Sequence, residues 1–255
     1  MKKVILSVSV MLVSLVAFAQ GNVSKVNQYD SENSTSVTQS GMDNETNVRQ
    51  QGHHNDANVD QDGTNLKAFV VQTGDKNDSN IDQTGYENKS TINQDDSDNH
   101  ASIEQKGDRK RGDGDERGYG TSRYGDDRGY QGGENVAFID QSGHDNEANI
   151  DQDGYKNDAN ITQSGRDGGE AKIDQKGGKN EATIEQGGLD NEADINQDGN
   201  ENKAKVFQLS GYHNESDIRQ DGDNNYAKTT QYGDRQESDI FQSGDRNSAT
   251  VVQSN

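Results

Sequence analysis

The side chains in this chain best equipped to bond are carboxamides and carboxylates, and both recur at fixed spacing. Gln28, Gln39, Gln50, Gln61, Gln72, Gln83, Gln94 and Gln105 follow one another at intervals of eleven. The series resumes at Gln141, Gln152, Gln163, Gln175, Gln186, Gln197, Gln208, Gln220, Gln231, Gln242 and Gln253, with intervals of twelve only before Gln175 and Gln220. Six positions before these 19 glutamines stands Asn in 16 cases, the exceptions being Leu66, Gly169 and Gln236. A carboxamide donates two hydrogen bonds and accepts on its oxygen. Amides stacked in register can therefore bond one to the next along an axis, as in cross-β assemblies. That is structural chemistry rather than catalysis.

The carboxylates suggest a second row. If each strand lies beside the next but one, Asp60, Asp82 and Glu104 stack on one outer face. Asp151 and Asp174 continue the row if the residues between preserve parity. Like charges about 4.8 Å apart repel. The row reads either as a solvated face or as a brake on self-association, released by low pH or divalent cations.

Other groups offer less. His53, His54, His100, His144 and His213 have no metal-ligand spacing, so no metal and no cofactor is expected. Asn22, Asn33, Asn44, Asn77, Asn88 and Asn214 each open an Asn-x-Ser/Thr tripeptide, but their place in the frame turns them inward, away from glycosylation. Nothing resembles a nucleophile, a catalytic dyad or a phosphate loop, and the chain does not read as an enzyme.

The elements that position these groups follow from the same frame. Two places before each glutamine stands Val (7), Ile (11) or Thr229, and four places before stands Ala (12), Ser (5) or Thr (2). Two places after it stands Gly in 15 cases. With 25% hydrophobic residues and a net charge of -21 among 255 residues, composition alone describes a disordered chain, but disorder does not confine its apolar residues to one frame. Fixed-period repetition marks a solenoid or array. Alternation puts Asn146, Ala148, Ile150 and Gln152 on one face of a strand and Glu147, Asn149 and Asp151 on the other. The same inward set recurs as Asn157, Ala159, Ile161 and Gln163, and as Asn191, Ala193, Ile195 and Gln197.

Seven strand residues leave four for a connection, such as Asp153-Gly154-Tyr155-Lys156. A hairpin there would expose a face of Ala and Ile, whereas an arch buries two such faces together and pairs strand n with n+2 in parallel. The fold class is therefore all-β: a β-solenoid of strand-arch-strand coils, 22 residues each, in two stacked parallel sheets. The absence of proline suits a chain that is nearly all paired strand. The absence of cysteine leaves stability to the ladders.

Four segments are expected. Residues 1–19 read as a secretory signal, with Lys2 and Lys3, an apolar stretch Val4 to Val16, and the small-x-small site Ala17-Phe18-Ala19. Residues 20–107 and 134–255 carry the repeats. Between them, 108–133 holds eight Gly, Tyr119, Tyr124 and Tyr130, six basic and six acidic residues. This segment reads as a flexible loop bulging from an arch, or as an adhesive Arg/Tyr segment with cation–π capacity. Its Arg111-Gly112-Asp113 is a chance product of that composition.

The pattern Ala-x-Ile-x-Gln-x-Gly-x-x-Asn-x-Ala-x-Ile-x-Gln, intact at Ala148 to Gln163 and Ala182 to Gln197, resembles the curlin repeat. Curlins are subunits of curli, the extracellular functional amyloid of diderm bacterial biofilms. The resemblance runs over residues 22 to 255 apart from the insertion. It implies a secreted subunit that polymerises into adhesive fibres, partnered by itself, a related curli subunit, outer-membrane secretion machinery and extracellular surfaces, with no nucleic acid. Better-known curlins have fewer repeats, and a targeting segment separates their signal from the first repeat; here the frame begins at Asn22. A frame kept to Gln253 points to the major subunit, with the nucleating subunit as the alternative. The rival class is a monomeric capped solenoid that binds calcium or a surface. Against it, the nine-residue calcium β-roll frame and regular outward Thr rows are missing, and the first and last strands are ordinary repeat members.

Overall fold

The computed structural model describes residues 21–107, 133–165 and 168–255. Eight strands precede residue 108: β1 (Val23–Ser31), β2 (Ser34–Met42), β3 (Glu45–His53), β4 (Asp56–Thr64), β5 (Lys67–Asp75), β6 (Asp78–Tyr86), β7 (Lys89–Ser97) and β8 (His100–Lys106). Eleven follow: β9 (Val136–His144), β10 (Glu147–Tyr155), β11 (Asp158–Gln163), β12 (Glu170–Gly178), β13 (Glu181–Gln186), β14 (Glu192–Asn200), β15 (Lys203–Ser210), β16 (Glu215–Asp221), β17 (Tyr226–Tyr232), β18 (Glu237–Ser243) and β19 (Ser248–Ser254).

The odd strands form one ten-stranded sheet and the even strands a nine-stranded sheet, each in sequence order. Every pair is parallel and in register on the frame, so that Gln28 faces Gln50 and Ile150 faces Ile173. The arch, and not the hairpin, is thus the connection, and the solenoid read from the sequence is the fold. Between the sheets lies one continuous layer of Val, Ile and Ala, from Val48 to Ile240, almost entirely shielded from water. A single apolar layer is all that so polar a chain can fill. The two sheets therefore stay close, and a small residue (Ala, Ser or Thr) and a β-branched one (Ile, Val or Thr) each recur at one height in every strand.

The arches are tighter than seven strand residues and four connecting ones. Pairing in β10 runs through Gly154 to Tyr155, leaving Lys156 and Asn157 to turn the chain. Gly154 has φ 133, and a Cβ there would lie 1.9 Å from the Gly177 carbonyl oxygen, so backbone stacks directly on backbone. Lys156 carries a side chain at φ 55, in the left-handed region that is costly for such residues. Its N–H donates to the Gly133 carbonyl of the coil before at 3.0 Å, a bond that helps hold the conformation. Asp43, His54, Glu87, Glu201 and Arg246 repeat the device, with φ between 55 and 58. Their chemical variety shows that position, not residue type, imposes it.

Irregular spacings are absorbed in the arches. From Gln105 to Gln141 is 36 residues, 25 more than the period. Yet β7 pairs with β9 and β8 with β10 on the same frame. Residues 108–132, which hold nearly all of the expected insertion and its Arg/Tyr and Arg-Gly-Asp readings, lie outside the described residues. Gly133, assigned to the insertion on sequence, instead bridges Tyr155 within the arch. The twelve-residue interval before Gln220 becomes a register shift between Gln208 and Ser210, a one-residue bulge. The expected signal, residues 1–19, also lies outside the described residues.

Candidate functional site: amide ladders and open ends

Among the described residues no cleft dominates, and the concentrated chemistry is axial. Nε2 of each glutamine donates to Oε1 of the glutamine one coil on, at 2.7–3.0 Å, from Gln28–Gln50 through to Gln231–Gln253. The ladder crosses 108–132 unbroken, with Gln94 to Gln141 at 3.0 Å and Gln105 to Gln152 at 2.8 Å. The second Nε2 hydrogen crosses to the opposite sheet, as from Gln50 to the Ser34 carbonyl at 2.8 Å and from Gln152 to the Val136 carbonyl at 3.0 Å. Each glutamine therefore ties its neighbours along the axis and the two sheets to one another. Sequence reasoning saw the first role and missed the second, because a period along the chain carries no information about what lies across the gap.

The asparagines behave differently from a second amide ladder. Their Oδ1 accepts the backbone N–H of the corresponding residue one coil on, as Asn135 does from Asn157 and Asn157 from Asn180, both at 3.0 Å. Their Nδ2 reaches arch carbonyls, as Asn44 does to Ser40 at 2.7 Å and Gly63 at 3.2 Å. Direct Asn-to-Asn side-chain bonds within the inward row occur where Asn55 meets Asn33, Asn99 meets Asn77 and Asn146 meets Asn99. The physical reason is the turn: at the arch exit the backbone leaves strand geometry, and its N–H and C=O groups need partners.

The sequence-predicted ladder residues all lie in the interior. Asn146, Asn157, Gln163 and Ala193 are 1% exposed, Asn191 is 3% exposed, and Ala148, Ile150, Gln152, Ala159, Ile161, Ile195 and Gln197 are wholly covered. Gln152, Gln163 and Gln197 donate to Gln175, Gln186 and Gln220, each at 2.9 Å. Asn191 donates to the Gly187 carbonyl at 2.7 Å and accepts from the Asn214 N–H at 2.9 Å.

On the outside, the acidic row is assembled. Asp60 pairs with Asp82, Asp82 with Glu104, Glu104 with Asp151 and Asp151 with Asp174. Partial burial lifts the Asp82 carboxyl above the ordinary aspartate range, and Asp60 and Glu104 push it further. Asp151 is raised in the same way, first by burial and then by Glu104 and Asp174. Two lysines temper the row: Lys106 pairs with Glu104, and Lys176 Nζ lies 3.3 Å from Asp174. The histidines are dispersed along the arches and strand starts, where Glu32 meets His54 at 2.8 Å and Asp78 meets His100 at 3.1 Å. Among the described residues no cluster of three or more His, Cys, Asp or Glu could hold a metal.

The ladders stop at two chemically distinct ends. At one, Oε1 of Gln28 and Gln39 ends the glutamine rows; at the other, Nε2 of Gln242 and Gln253 does, each already bonded to one carbonyl. The inward residues of β1, β2 and β19, including Val26, Val37, Ala249 and Val251, are only partly covered. Among the described residues both ends are unpaired strand edges, ready templates for another strand.

Compared with protein families, the chain matches the Curlin associated repeat at residues 52–85, 80–107, 131–154, 170–199, 188–222 and 222–254. These six matches cover more than half of the 255 residues. The chain belongs to the curlin-repeat family. Among curated proteins no significant match is found. The curlin matches fall on both sides of 108–130, and the strands they cover contribute glutamines to the ladder.

Proposed function

We propose that this curlin-repeat protein is the major subunit of a secreted, extracellular curli-like amyloid fibre serving cell adhesion and the biofilm matrix. The observation that carries the reading is the pair of glutamine ladders running through the stack to strand edges that have no partner among the described residues. A stack whose internal bonds recur every coil offers at each end the bonds that the next copy needs. Family membership supports the fibre. Residues 1–19, with their charged start, apolar stretch and Ala-x-Ala site, support export, and outer-membrane machinery and a related curli subunit are the implied partners. The expected localisation is a fibre on the surface of a diderm bacterium.

The test is thioflavin T fluorescence and negative-stain microscopy on residues 20–255 diluted from denaturant at neutral pH. Unbranched fibres appearing after a lag that preformed seeds abolish are expected. A stable, dye-negative, β-rich monomer would overturn the reading in favour of a capped binding module.

A further inference from the structure

The stack formed by the described residues contains an odd number of strands, and that parity constrains how two such stacks can meet. β1 and β19 lie in the same sheet, while β2 and β18 are the edges of the other. Going up the solenoid, the next vacant place after β19 is above β18, in the nine-stranded sheet. A second copy in the same orientation would set its β1 above β19, leaving its β2 about 9.6 Å from β18, two strand spacings instead of one. The empty strand-wide slot would strand backbone donors and acceptors on both sides of it. A copy turned by half a revolution about the axis fills both places, β1 over β18 and β2 over β19. The strands of the two sheets run in opposite directions, so the turn preserves parallel pairing.

Resting on the assembly reading above, we infer that copies of this chain stack head to tail with a half-turn at each junction, exchanging the two sheets from one subunit to the next. The geometry of the ends fits. The frame sets Gln242 under Gln28 of the following copy and Gln253 under Gln39, so the Nε2 groups that end the ladder meet the Oε1 groups that begin it. Gln236 occupies the place of the frame asparagine in the arch before β18, and its Oε1 is buried without a hydrogen-bond partner. Where that place holds Asn and a coil lies above, its Oδ1 accepts a backbone N–H from that coil, as Asn214 does from Gln236 itself at 3.0 Å. The half-turn brings the Asn22 backbone there.

Charge selects the same arrangement. Asp194, Asp217 and Asp239 form an acidic column on β14, β16 and β18. Lys172 stands next to Asp194 at its lower end. The upper end, Asp239, is exposed. The half-turn sets Lys25 of the next copy directly above Asp239, so that a lysine closes each end of the column. Unrotated stacking sets Lys25 over Thr250 instead. Phe241 and Val252, 64% and 66% exposed, become covered by Asn27 and Thr38.

Pyrene excimer fluorescence tests this directly, because the chain has no cysteine. N27C combined with F241C places two labels on facing positions of one junction in the rotated fibre, and N27C with V252C places them on opposite sheets. Within one subunit these positions lie at opposite ends of the stack, so neither double variant gives excimer as a monomer. Excimer emission on fibre formation from the first variant alone is the expected result. Emission from the second alone, or from neither in chains that do form fibres, overturns the half-turn. Failure of the unlabelled chain to form any fibre overturns the assembly reading itself.

If labels block assembly, charge reversal decides. K25E should slow seeded elongation roughly 2–5-fold, the effect of one like-charge neighbour pair, and D239K in the same chain should restore it. A K25E defect that D239K does not repair overturns the inference.

Discussion

At the residue scale, the glutamines and the outward residues between them differ in kind, although both are polar. Gln152 is fully covered and bonded to Gln105, Gln175 and the Val136 carbonyl, while Asn149 on the same strand faces water. Gln152→Ala strips partners from buried groups above and below, at a cost of about 2–4 kcal/mol. Asn149→Ala should stay within about 0.5 kcal/mol. Urea titration of each variant against the parent measures both. The same contrast marks what could be read from sequence. That Gln152 and Ile150 point inward follows from alternation alone. That Asn157 would serve backbone groups, and not its own kind, depends on the path of the arch, which no periodicity encodes. Lys156 is the harder case: its left-handed φ leaves no compositional trace, since Asp, His, Glu and Arg fill equivalent places.

At the scale of the element, the strand is specified redundantly and the arch permissively. Strand identity, inward face, parallel pairing and the 22-residue coil were all legible, because 19 copies of one frame repeat the instruction. The arch lengths were not, because ladder pairing overrides the seven-plus-four division and continues through the glycine. Gly107 and Gly133 meet so closely that a Cβ on Gly107 would lie 2.5 Å from the Gly133 Cα. Gly107, Gly133, Glu134 and Asn135 then take the places that Gly154, Tyr155, Lys156 and Asn157 hold in a standard arch. Deleting residues 108–132 restores the eleven-residue period, so the shortened chain should keep its β-sheet circular dichroism and lose no more than about 1 kcal/mol. Loop-closure entropy, which grows slowly with length, even favours the shorter arch. Loss of cooperative unfolding in the deletion variant would show that the segment contributes packing of its own.

At the scale of the whole molecule, stacked carboxylates couple the solenoid to pH. Burial, reinforced by neighbouring acids, raises the Asp82, Asp151 and Asp217 carboxyls, and burial also raises Asp194. A group whose folded pKa exceeds its unfolded one binds its proton more tightly in the folded state. Stability is therefore gained as pH falls from neutral through the raised folded values towards the ordinary aspartate value of 3.8. Glu181 acts oppositely: burial lifts it, but the bonds and charges of Lys203 and Lys205 outweigh that and leave it lowered, so its contribution fades on acidification. Asp140, Asp158 and Glu192 are raised as well, chiefly by burial; with seven raised carboxyls against one lowered among the described residues, the urea midpoint should rise from pH 7 to pH 5 and the assembly lag should shorten. Joint Asp82→Asn and Asp151→Asn substitution should reproduce part of that gain at pH 7. A lag unchanged over this range would remove the acidic row as a brake. The alternation of strands between two sheets has a consequence for inheritance as well. Repeated units can be gained or lost during DNA copying. A slip of 22 residues adds or removes one coil and leaves every later side chain on the face it had. A slip of eleven carries all later strands across to the other sheet, and one that falls between β4 and β12 cuts the Asp60-to-Asp174 row in two. Lineages of such a gene can therefore drift freely in whole coils, while each half-coil step inverts the pattern their surface presents.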